Sequence, residues 1–246
     1  MSNPVALITG GGRRIGAEIA KKLHHNGFNI IIHYLRSSTE AGELAQQLNE
    51  LRSNSASTLK ANLTLSKEVN TLAKNAVSIW GRLDALINNA SSYYPTKFGE
   101  VSEAQWEDLQ ASNSKAPFFL SQALAPELKK QRGCIVNIVD IHAERPLQGY
   151  SPYTIAKAAT AMLTKSLARE LAPEVRVNGV APGVIIWPEN AAEHSDKEKQ
   201  RILEQVPLAR EGSANDIAQT VLFFVKDAPY ITGQILAVDG GRSIYL

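Results

Sequence analysis

The amino-acid sequence predicts an α/β fold: a doubly wound parallel sheet of about seven strands with helices on both faces. Two observations predict it. Short apolar runs rich in β-branched residues alternate with longer segments of helical periodicity along the chain. A glycine-rich turn stands directly after the first apolar run. A length of 246 residues, with 44% hydrophobic residues, suits one domain over residues 1–246 with a substantial core.

The predicted strands cover residues 5–9, 29–34, 57–61, 83–87, 134–139, 175–181 and 234–238. The predicted helices cover about 15–25, 41–52, 70–80, 104–130, 153–172 and 215–226. Segment 184–206 follows the sixth strand and carries Trp187 and a charged run. Because it is long for a connection after a strand, it is a candidate substrate lid.

Charge and cysteine content exclude several classes of function. The formal net charge is +2, with both signs spread along the chain, so we expect no nucleic-acid partner. The single cysteine, Cys134, excludes an intrachain disulfide and fits a reducing compartment. No charged leader and no apolar run of membrane-spanning length is present. We therefore expect a cytoplasmic protein without a membrane partner, and we predict no metal site.

The glycine-rich turn, Gly10 to Gly16, has the pattern of a dinucleotide-binding unit. Gly10 permits a tight turn and a close approach of the backbone to a diphosphate. The helix that starts near Ile15 directs its free N–H groups at that anion. Gly16 lets this helix pack close to the sheet. An ordinary tight turn is the alternative, and the position directly after the first strand favours the nucleotide.

The end of the second strand indicates which dinucleotide binds. An NAD enzyme usually places an acid there to bind the ribose hydroxyl, and no acid occurs between Phe28 and Thr39. Arg36, followed by the hydroxyl of Ser37, suits a 2′-phosphate instead, with Arg14 as a second cation. The sequence therefore favours NADPH, and two solvated arginines are the alternative.

Polar and small residues also follow the third and fourth strands. Asn62-Leu63 ends the third, where a side-chain oxygen can meet an adenine amine. Asn89-Ala90 follows the fourth, where small residues suit a nucleotide pressed against the backbone. In the next loop Tyr93 and Tyr94 can stack on a flat substrate. Ordinary turns and simple packing are the alternatives for these segments.

A tyrosine and a lysine mark the start of the fifth predicted helix. Tyr153 and Lys157 are four residues apart, so their side chains share one helix face. The lysine ammonium is predicted to lower the tyrosine pKa from about 10, which prepares a proton donor. Asp140 ends the preceding strand. Taken alone, the pair would be interpreted as a surface Tyr and Lys on a helix. The glycine turn in the same chain favours the functional interpretation instead.

Together these motifs resemble the short-chain dehydrogenase/reductase family, over essentially the whole chain. They are Thr9–Gly16, Asn88–Ala90, Asn113, Tyr153 with Lys157, and Pro182-Gly183. The resemblance implies a Rossmann-like fold with a nicotinamide cofactor across the strand ends. It also implies that Tyr153 donates a proton, that Lys157 contacts the ribose, and that Asn113 holds a water in a proton relay. A homotetramer with long helices between subunits is expected.

Two residues depart from the family pattern. Arg14 replaces the usual third glycine of the turn, and Asp140 replaces the usual catalytic serine. A carboxylate would repel a developing oxyanion and suits a nitrogen substrate better. These residues, with His33–Ser37 and Asn89–Pro95, resemble the pteridine reductases of the family. That resemblance implies NADPH-dependent reduction of dihydropterin, with dihydrofolate as a further candidate substrate.

Carried over by position, the resemblance assigns three groups of residues. The catalytic residues are Asp140, Tyr153, Lys157 and Asn113. The cofactor-binding residues are Gly10, Arg14, Ile15, His33, Tyr34, Arg36, Ser37, Asn62, Leu63, Asn89, Ala90, Ser91, Tyr153, Lys157, Pro182 and Gly183. The substrate-binding residues are Arg14, Ser91, Tyr93, Asp140, Tyr153 and Trp187.

Two other functions compete with this interpretation. One is a 3-oxoacyl-thioester or other carbonyl reductase of the same family, which a serine at position 140 would have favoured. The other is a non-catalytic NADPH-binding sensor, which loss of Tyr153 or Lys157 would have favoured.

Overall fold

The structure, a computed structural model, describes residues 3–187 and 195–245. The strands are β1 Val5–Ile8, β2 Asn29–Tyr34, β3 Ala56–Lys60, β4 Ala85–Asn88, β5 Cys134–Ile138, β6 Arg176–Pro182 and β7 Ile235–Val238. They form one sheet in the order β3-β2-β1-β4-β5-β6-β7, and every pair is parallel. The order reverses beside β1, where such sheets bind ligands at the carboxyl ends of their strands.

The helices are α1 Arg14–His25, α2 Ser38–Leu51, α3 Ser66–Trp80, α4 Glu103–Gln110, α5 Ala116–Gln131, α6 Ser151–Glu170, α7 Asp196–Leu203, α8 Ala214–Leu222 and α9 Arg242–Tyr245. Several begin earlier than predicted: α2 starts at Ser38 rather than at 41, and α3 at Ser66 rather than at 70. Their first turns are polar, so they lack the apolar periodicity used to place the start.

Two apolar layers show that helices cover both faces of the sheet. Successive side chains of a strand point to opposite faces, and in β1 Ala6 and Ile8 join one buried cluster while Val5 and Leu7 join the other. The first cluster is completed by α1, α2 and α8, and the second by α3, α5 and α6. The predicted fold class is therefore confirmed.

The long helix predicted over 104–130 is not continuous. A π-helical segment, Ala111–Lys115, separates α4 from α5. In an α-helix the carbonyl of residue 113 accepts from the N–H of residue 117, and Pro117 has no N–H. The break therefore frees the carbonyl of Asn113 for another partner.

The predicted lid segment, 184–206, is described in part. It contains α7, which begins with a capping box between Ser195 and Glu198, while residues 188–194 lie outside the described residues. Among the described residues, no helix is long and apolar enough to cross a membrane.

Candidate active site

The glycine turn is built for a close approach of two chain segments. Gly10 has a φ of +60°, in the left-handed region. A Cβ on Gly16 would lie 2.2 Å from the carbonyl oxygen of Gly10 and 2.7 Å from Nδ2 of Asn89. The start of α1 therefore lies against the turn with no room for a side chain, as predicted for Gly16.

Hydrogen bonds join the turn to the end of β4. Asn89 Nδ2 donates to the carbonyl oxygens of Thr9 and Gly10, at 2.9 and 3.1 Å. The Thr9 hydroxyl in turn accepts from the backbone N–H groups of Asn89 and Ala90. The predicted residues after β1 and β4 thus form one rigid floor at the switch point of the sheet.

Arg14 occupies a backbone conformation that favours glycine. Its φ is +52°, which costs a non-glycine residue about 1 kcal/mol or more. Its guanidinium donates to the carbonyl oxygens of Ile186 and Trp187, at 3.1 and 3.3 Å. Arg14 therefore joins the glycine turn to the first residues of the lid segment, while remaining exposed.

His33 lies inside the protein, although the sequence placed it among the cofactor contacts. Its Nδ1 accepts from the Gly10 N–H at 3.1 Å, and its Nε2 donates to the Ala61 carbonyl at 3.0 Å. Burial lowers the pKa of the His33 imidazole, which keeps Nδ1 free to accept. With both nitrogens engaged, the ring supports the glycine turn and offers no free polar atom to a cofactor.

The other residues at the end of β2 lie beside the turn. The hydroxyl of Ser37 lies 3.1 Å from the position that a Cβ on Gly12 would take, and Arg36 is exposed next to it. Tyr34 and Ile15 are half-buried and pack against the core. Arg36 and Ser37 thus lie beside the glycine turn, and their contact with a 2′-phosphate stays a prediction.

Asn62 uses its side-chain oxygen locally. Its Oδ1 accepts from both the backbone N–H and the hydroxyl of Thr64, at 3.1 and 2.8 Å. Both lone pairs are thereby occupied, so the predicted contact with an adenine amine would require one of these bonds to break. Leu63 is buried in the core.

Tyr153 and Asp140 form the central contact of the site. The phenol of Tyr153 donates to Oδ2 of Asp140 at 2.6 Å, and Tyr153 is only 4% exposed. Oδ1 of Asp140 accepts from the His142 N–H at 2.8 Å, which fixes the carboxylate. The ammonium of Lys157, also buried, lies 5.7 Å from the centre of the Tyr153 ring and donates to the Ile138 carbonyl.

The predicted lowering of the Tyr153 pKa is wrong. Burial and the neighbouring Asp140 carboxylate raise the pKa of Tyr153 well above its ordinary value. Both effects disfavour a phenolate, and they outweigh the ammonium one turn away. Burial lowers the pKa of Lys157 to about 8, and the charge of Asp140 opposes that shift. Tyr153 therefore holds its proton across the physiological pH range.

Asn113 connects the aromatic loop with α6. Its Oδ1 accepts from the Ser91 hydroxyl at 2.6 Å, and its Nδ2 donates to the Ser92 carbonyl at 2.9 Å. The carbonyl freed by the π-helical segment accepts from the Thr160 hydroxyl at 2.5 Å. The water expected at Asn113 stays a prediction. If it bound the Asn113 carbonyl, it would share that oxygen with the Thr160 hydroxyl.

Tyr93 lies against Tyr153, next to its hydrogen bond with Asp140. Its ring stacks on Tyr150 with centroids 4.8 Å apart, and it meets the Tyr153 ring edge-on at 4.9 Å. It is 40% exposed, so part of the ring remains open to a ligand. Sequence reasoning missed Tyr150, although an aromatic residue one turn before Tyr153 was a visible signal.

The end of β6 also requires a glycine. The Gly183 N–H donates to the Val238 carbonyl, and a Cβ on Gly183 would lie 2.5 Å from Cβ of Asp239. Pro182, the last residue of β6, is buried. Asp239 was not singled out from the sequence, although the Asp-Gly-Gly that follows the last strand predicts a turn.

Trp187 packs against the helix of the lid segment. The ammonium of Lys199, in α7, lies 5.9 Å from the centre of the indole ring. The Trp187 carbonyl accepts from Arg14. The described contacts therefore place Trp187 between the glycine turn and α7.

The arrangement fits a bound dinucleotide. One edge of the sheet carries the glycine turn, the start of α1, and the ends of β2 and β4. The turn is so close to α1 that a Cβ at position 16 would not fit. A proton-holding phenol on a carboxylate lies at the same edge, after β5. The site can therefore bind an extended cofactor and transfer a proton beside it.

Known proteins resemble this chain over nearly its whole length. A family model described as enoyl-(acyl carrier protein) reductase matches residues 11–243. Pteridine reductase 1 from Leishmania tarentolae is 38% identical, covering 98% of this chain and 96% of the relative. A 3-oxoacyl-(acyl-carrier-protein) reductase from Staphylococcus epidermidis is 37% identical, covering 97% and 98%. The chain therefore belongs to the short-chain dehydrogenase/reductase family of NAD(P)H-dependent oxidoreductases.

Proposed function

We propose that the protein is an NADPH-dependent dihydropterin reductase, with dihydrofolate as a further substrate. The observation that carries the proposal is the 2.6 Å hydrogen bond from the Tyr153 phenol to the Asp140 carboxylate. A carbonyl reductase needs donors at this place to stabilise a developing oxyanion. A carboxylate instead favours an acceptor that gains a proton and positive character, such as a pterin ring nitrogen.

The proton chemistry follows from the environment of the pair. Bound NADPH would supply the hydride that reduces the C=N bond of the pterin. Tyr153 keeps its proton because burial and Asp140 hold its pKa well above the ordinary value. It releases that proton only to a base positioned at its hydroxyl, and Asp140 shares the proton at 2.6 Å. When the phenol gives this proton to the pterin nitrogen, a phenolate is left beside the carboxylate, and a proton from solvent must return to it. The Lys157 ammonium, 5.7 Å from the centre of the Tyr153 ring, stabilises the added negative charge until then.

Lys157 balances the charge below this pair. Its pKa of about 8 leaves it mostly protonated at neutral pH, within electrostatic reach of Asp140. Its bond to the Ile138 carbonyl anchors it at the end of β5. We propose that it contacts the nicotinamide ribose when cofactor is bound.

Substrate placement is assigned to residues around Tyr93. Its partly open ring beside Tyr153 suits stacking on a flat pterin. Ser91, held by Asn113, and Arg14, held at the lid segment, bring polar groups to the same edge. Trp187 is assigned to the lid side of the substrate.

The NADPH preference rests on Arg36 and Ser37. Both lie beside the glycine turn, where the ribose 2′-phosphate is expected, and a guanidinium with a hydroxyl suits a phosphate. Arg36→Asp is expected to raise the KM for NADPH at least about tenfold and to leave that for NADH much less affected.

A second candidate function is reduction of a 3-oxoacyl thioester. The relative from Staphylococcus epidermidis named for that activity is nearly as similar to this chain as the pteridine reductase, at 37% against 38% identity. Asp140 is the residue that argues against it, for the electrostatic reason given above.

NADPH oxidation with dihydrobiopterin, dihydrofolate and an acetoacetyl thioester, measured in parallel, tests the proposal. Turnover of a dihydropterin that is lost in Tyr153→Phe supports it. Turnover of the thioester alone assigns the second function. NADPH binding with no turnover of any of the three would instead indicate a non-catalytic sensor.

We also propose a cytoplasmic homotetramer. Large apolar side chains are exposed on α4 and α5, among them Trp106, Phe118 and Phe119, at 41%, 42% and 38%. Such a cluster is typical of an interface between copies. Light scattering coupled to gel filtration measures the assembly directly, and a monomer would contradict this assignment.

A further inference from the structure

A cavity of about 750 Å³ opens beside the segment that follows Asp140. Its walls come from the segment after Asp140, from α7 in the lid segment, and from the start of α9. His142, whose N–H holds Asp140, lines it at the inner end. The volume is within the range of pockets that bind small organic ligands.

Arg242 is the buried cation of this cavity. It is 9% exposed, and among the described residues its Nε has no hydrogen-bond acceptor. The charge of Asp140 acts on the guanidinium and raises its pKa, against the lowering by burial, so the group lies within electrostatic reach of the proposed catalytic pair. Its side chain lines the cavity, and a buried positive charge is costly to desolvate, so the position suits a ligand that brings a negative charge.

The turn before α9 holds Arg242 in this position. The carboxylate of Asp239 accepts from the N–H groups of Gly241 and Ser243, at 3.0 and 2.7 Å. Gly240 and Gly241 both have positive φ, and a Cβ on Gly240 would lie 2.7 Å from Val206. The turn is therefore packed against the end of the lid segment, which fixes the backbone from which Arg242 extends.

The remaining charges of the cavity are mixed but net positive. Arg145 and Arg201 line its exposed rim together with two carboxylates, Glu144 and Glu198. Three guanidinium groups thus face two carboxylates, and the buried one carries a positive charge. The cavity is consequently suited to an anionic group that enters from the rim toward Arg242.

We propose that this cavity binds the carboxylate-bearing tail of the substrate, so that Arg242 makes the enzyme prefer dihydrofolate to dihydropterins with short neutral tails. The inference rests on the proposed pterin reduction, because the cavity adjoins Asp140 and Tyr93. Dihydrofolate carries a benzoylglutamate with two carboxylates beyond the pterin ring, whereas dihydrobiopterin carries a short uncharged chain. A carboxylate in the cavity would pair with the buried guanidinium of Arg242 that lines it.

Two measurements test the subsite on the full-length protein. The first is kcat/KM for dihydrofolate and for dihydrobiopterin in the wild type, in Arg242→Met and in Arg169→Met, a control at an exposed arginine of α6. The ratio of the two constants is expected to fall about tenfold or more in Arg242→Met and to stay unchanged in the control. Arg242→Lys, which keeps the charge, is expected to fall less.

The second measurement separates failure of the subsite from failure of the proposed function. Calorimetric titration with p-aminobenzoylglutamate, which lacks the pterin, is expected to show binding that Arg242→Met weakens about tenfold. That result supports the subsite whichever substrate is reduced. Absence of binding to the wild type, with an unchanged substrate ratio, overturns it. Arg242-dependent binding of coenzyme A in place of p-aminobenzoylglutamate overturns the folate assignment in favour of a thioester tail.

Two further outcomes are decisive. An equal loss for both substrates in Arg242→Met, with a displaced pH profile, would mean that Arg242 acts only through the charge of Asp140. If Arg242→Met does not fold, the double variant Arg145→Met/Arg201→Met on the exposed rim replaces it, with a smaller fall of the same ratio expected. No change of the ratio in that variant overturns the proposal.

Discussion

Replacing Asp140 by Asn isolates the effect of one negative charge on the proton donor. The amide has the shape of the carboxylate and still offers an oxygen to the Tyr153 phenol. In the wild type that phenol donates to the charged Oδ2 of Asp140 at 2.6 Å. A hydrogen bond to a charged acceptor is about 1–1.5 kcal/mol stronger than a neutral one, which corresponds to about one pKa unit. The Asp140 charge raises the pKa of Tyr153, so Asn is expected to lower it by about that amount.

Phenolate absorbance against pH is the assay. Because the chain has seven tyrosines, the signal of Tyr153 is obtained by subtracting the matched Tyr153→Phe variants with Asp and with Asn at position 140. Lys157 should move in the same direction, below a pKa of about 8, since Asp140 also raises the pKa of that ammonium. An unchanged or raised Tyr153 pKa in Asp140→Asn would show that the charge of Asp140 does not raise it and that burial alone accounts for the shift.

Three other substitutions test the frame of the site. Gly16→Ala places a Cβ 2.2 Å from the Gly10 carbonyl oxygen, so we expect fluorescence titration to show NADPH binding weakened at least about tenfold. Gly42→Ala is the control, because a Cβ there meets open space. Equal effects of the two substitutions on NADPH binding would contradict the close packing at Gly16. Arg14→Gly should raise the free energy of unfolding in urea by about 1 kcal/mol while lowering pterin turnover, and a loss of stability would show that the left-handed backbone is not strained. His33→Leu should destabilise the fold by about 1–3 kcal/mol, since it leaves the Gly10 N–H and the Ala61 carbonyl unpaired; unchanged urea unfolding would contradict that role.

The fold could be predicted from the sequence because its signals are local. Each strand is a short apolar run, and the glycine turn after β1 marks the switch point of the sheet. The break in the long helix was less visible, since it depends on the missing N–H of Pro117 rather than on apolar periodicity. The starts of α2 and α3 were predicted too late because their first turns are polar and show no apolar periodicity.

The site was predictable in its residues but not in its electrostatics. Tyr153 and Asp140 do meet, as motif and order along the chain indicated. The direction of the Tyr153 pKa shift was wrong, because burial and the distance to each charged neighbour follow only from the packed structure. His33 was likewise assigned to the cofactor, and its buried bonds to the glycine turn appear only once β2 and β3 are paired.

Arg242 could not have been identified from the sequence. It lies beyond the last strand, and nothing nearby along the chain relates it to Asp140. Its position depends on the turn at Asp239, which returns the chain across the strand ends.

In the proposed function, Asp140 directs the site to a C=N bond rather than to a carbonyl. The most direct measurement is kcat/KM of the wild type and of Asp140→Ser with dihydrobiopterin and with an acetoacetyl thioester, under saturating NADPH. We predict that the wild type reduces the dihydropterin and not the thioester, and that Asp140→Ser loses pterin turnover by at least about a hundredfold while gaining measurable thioester reduction. Thioester reduction by the wild type without pterin turnover, or full pterin turnover in Asp140→Ser, would contradict the account.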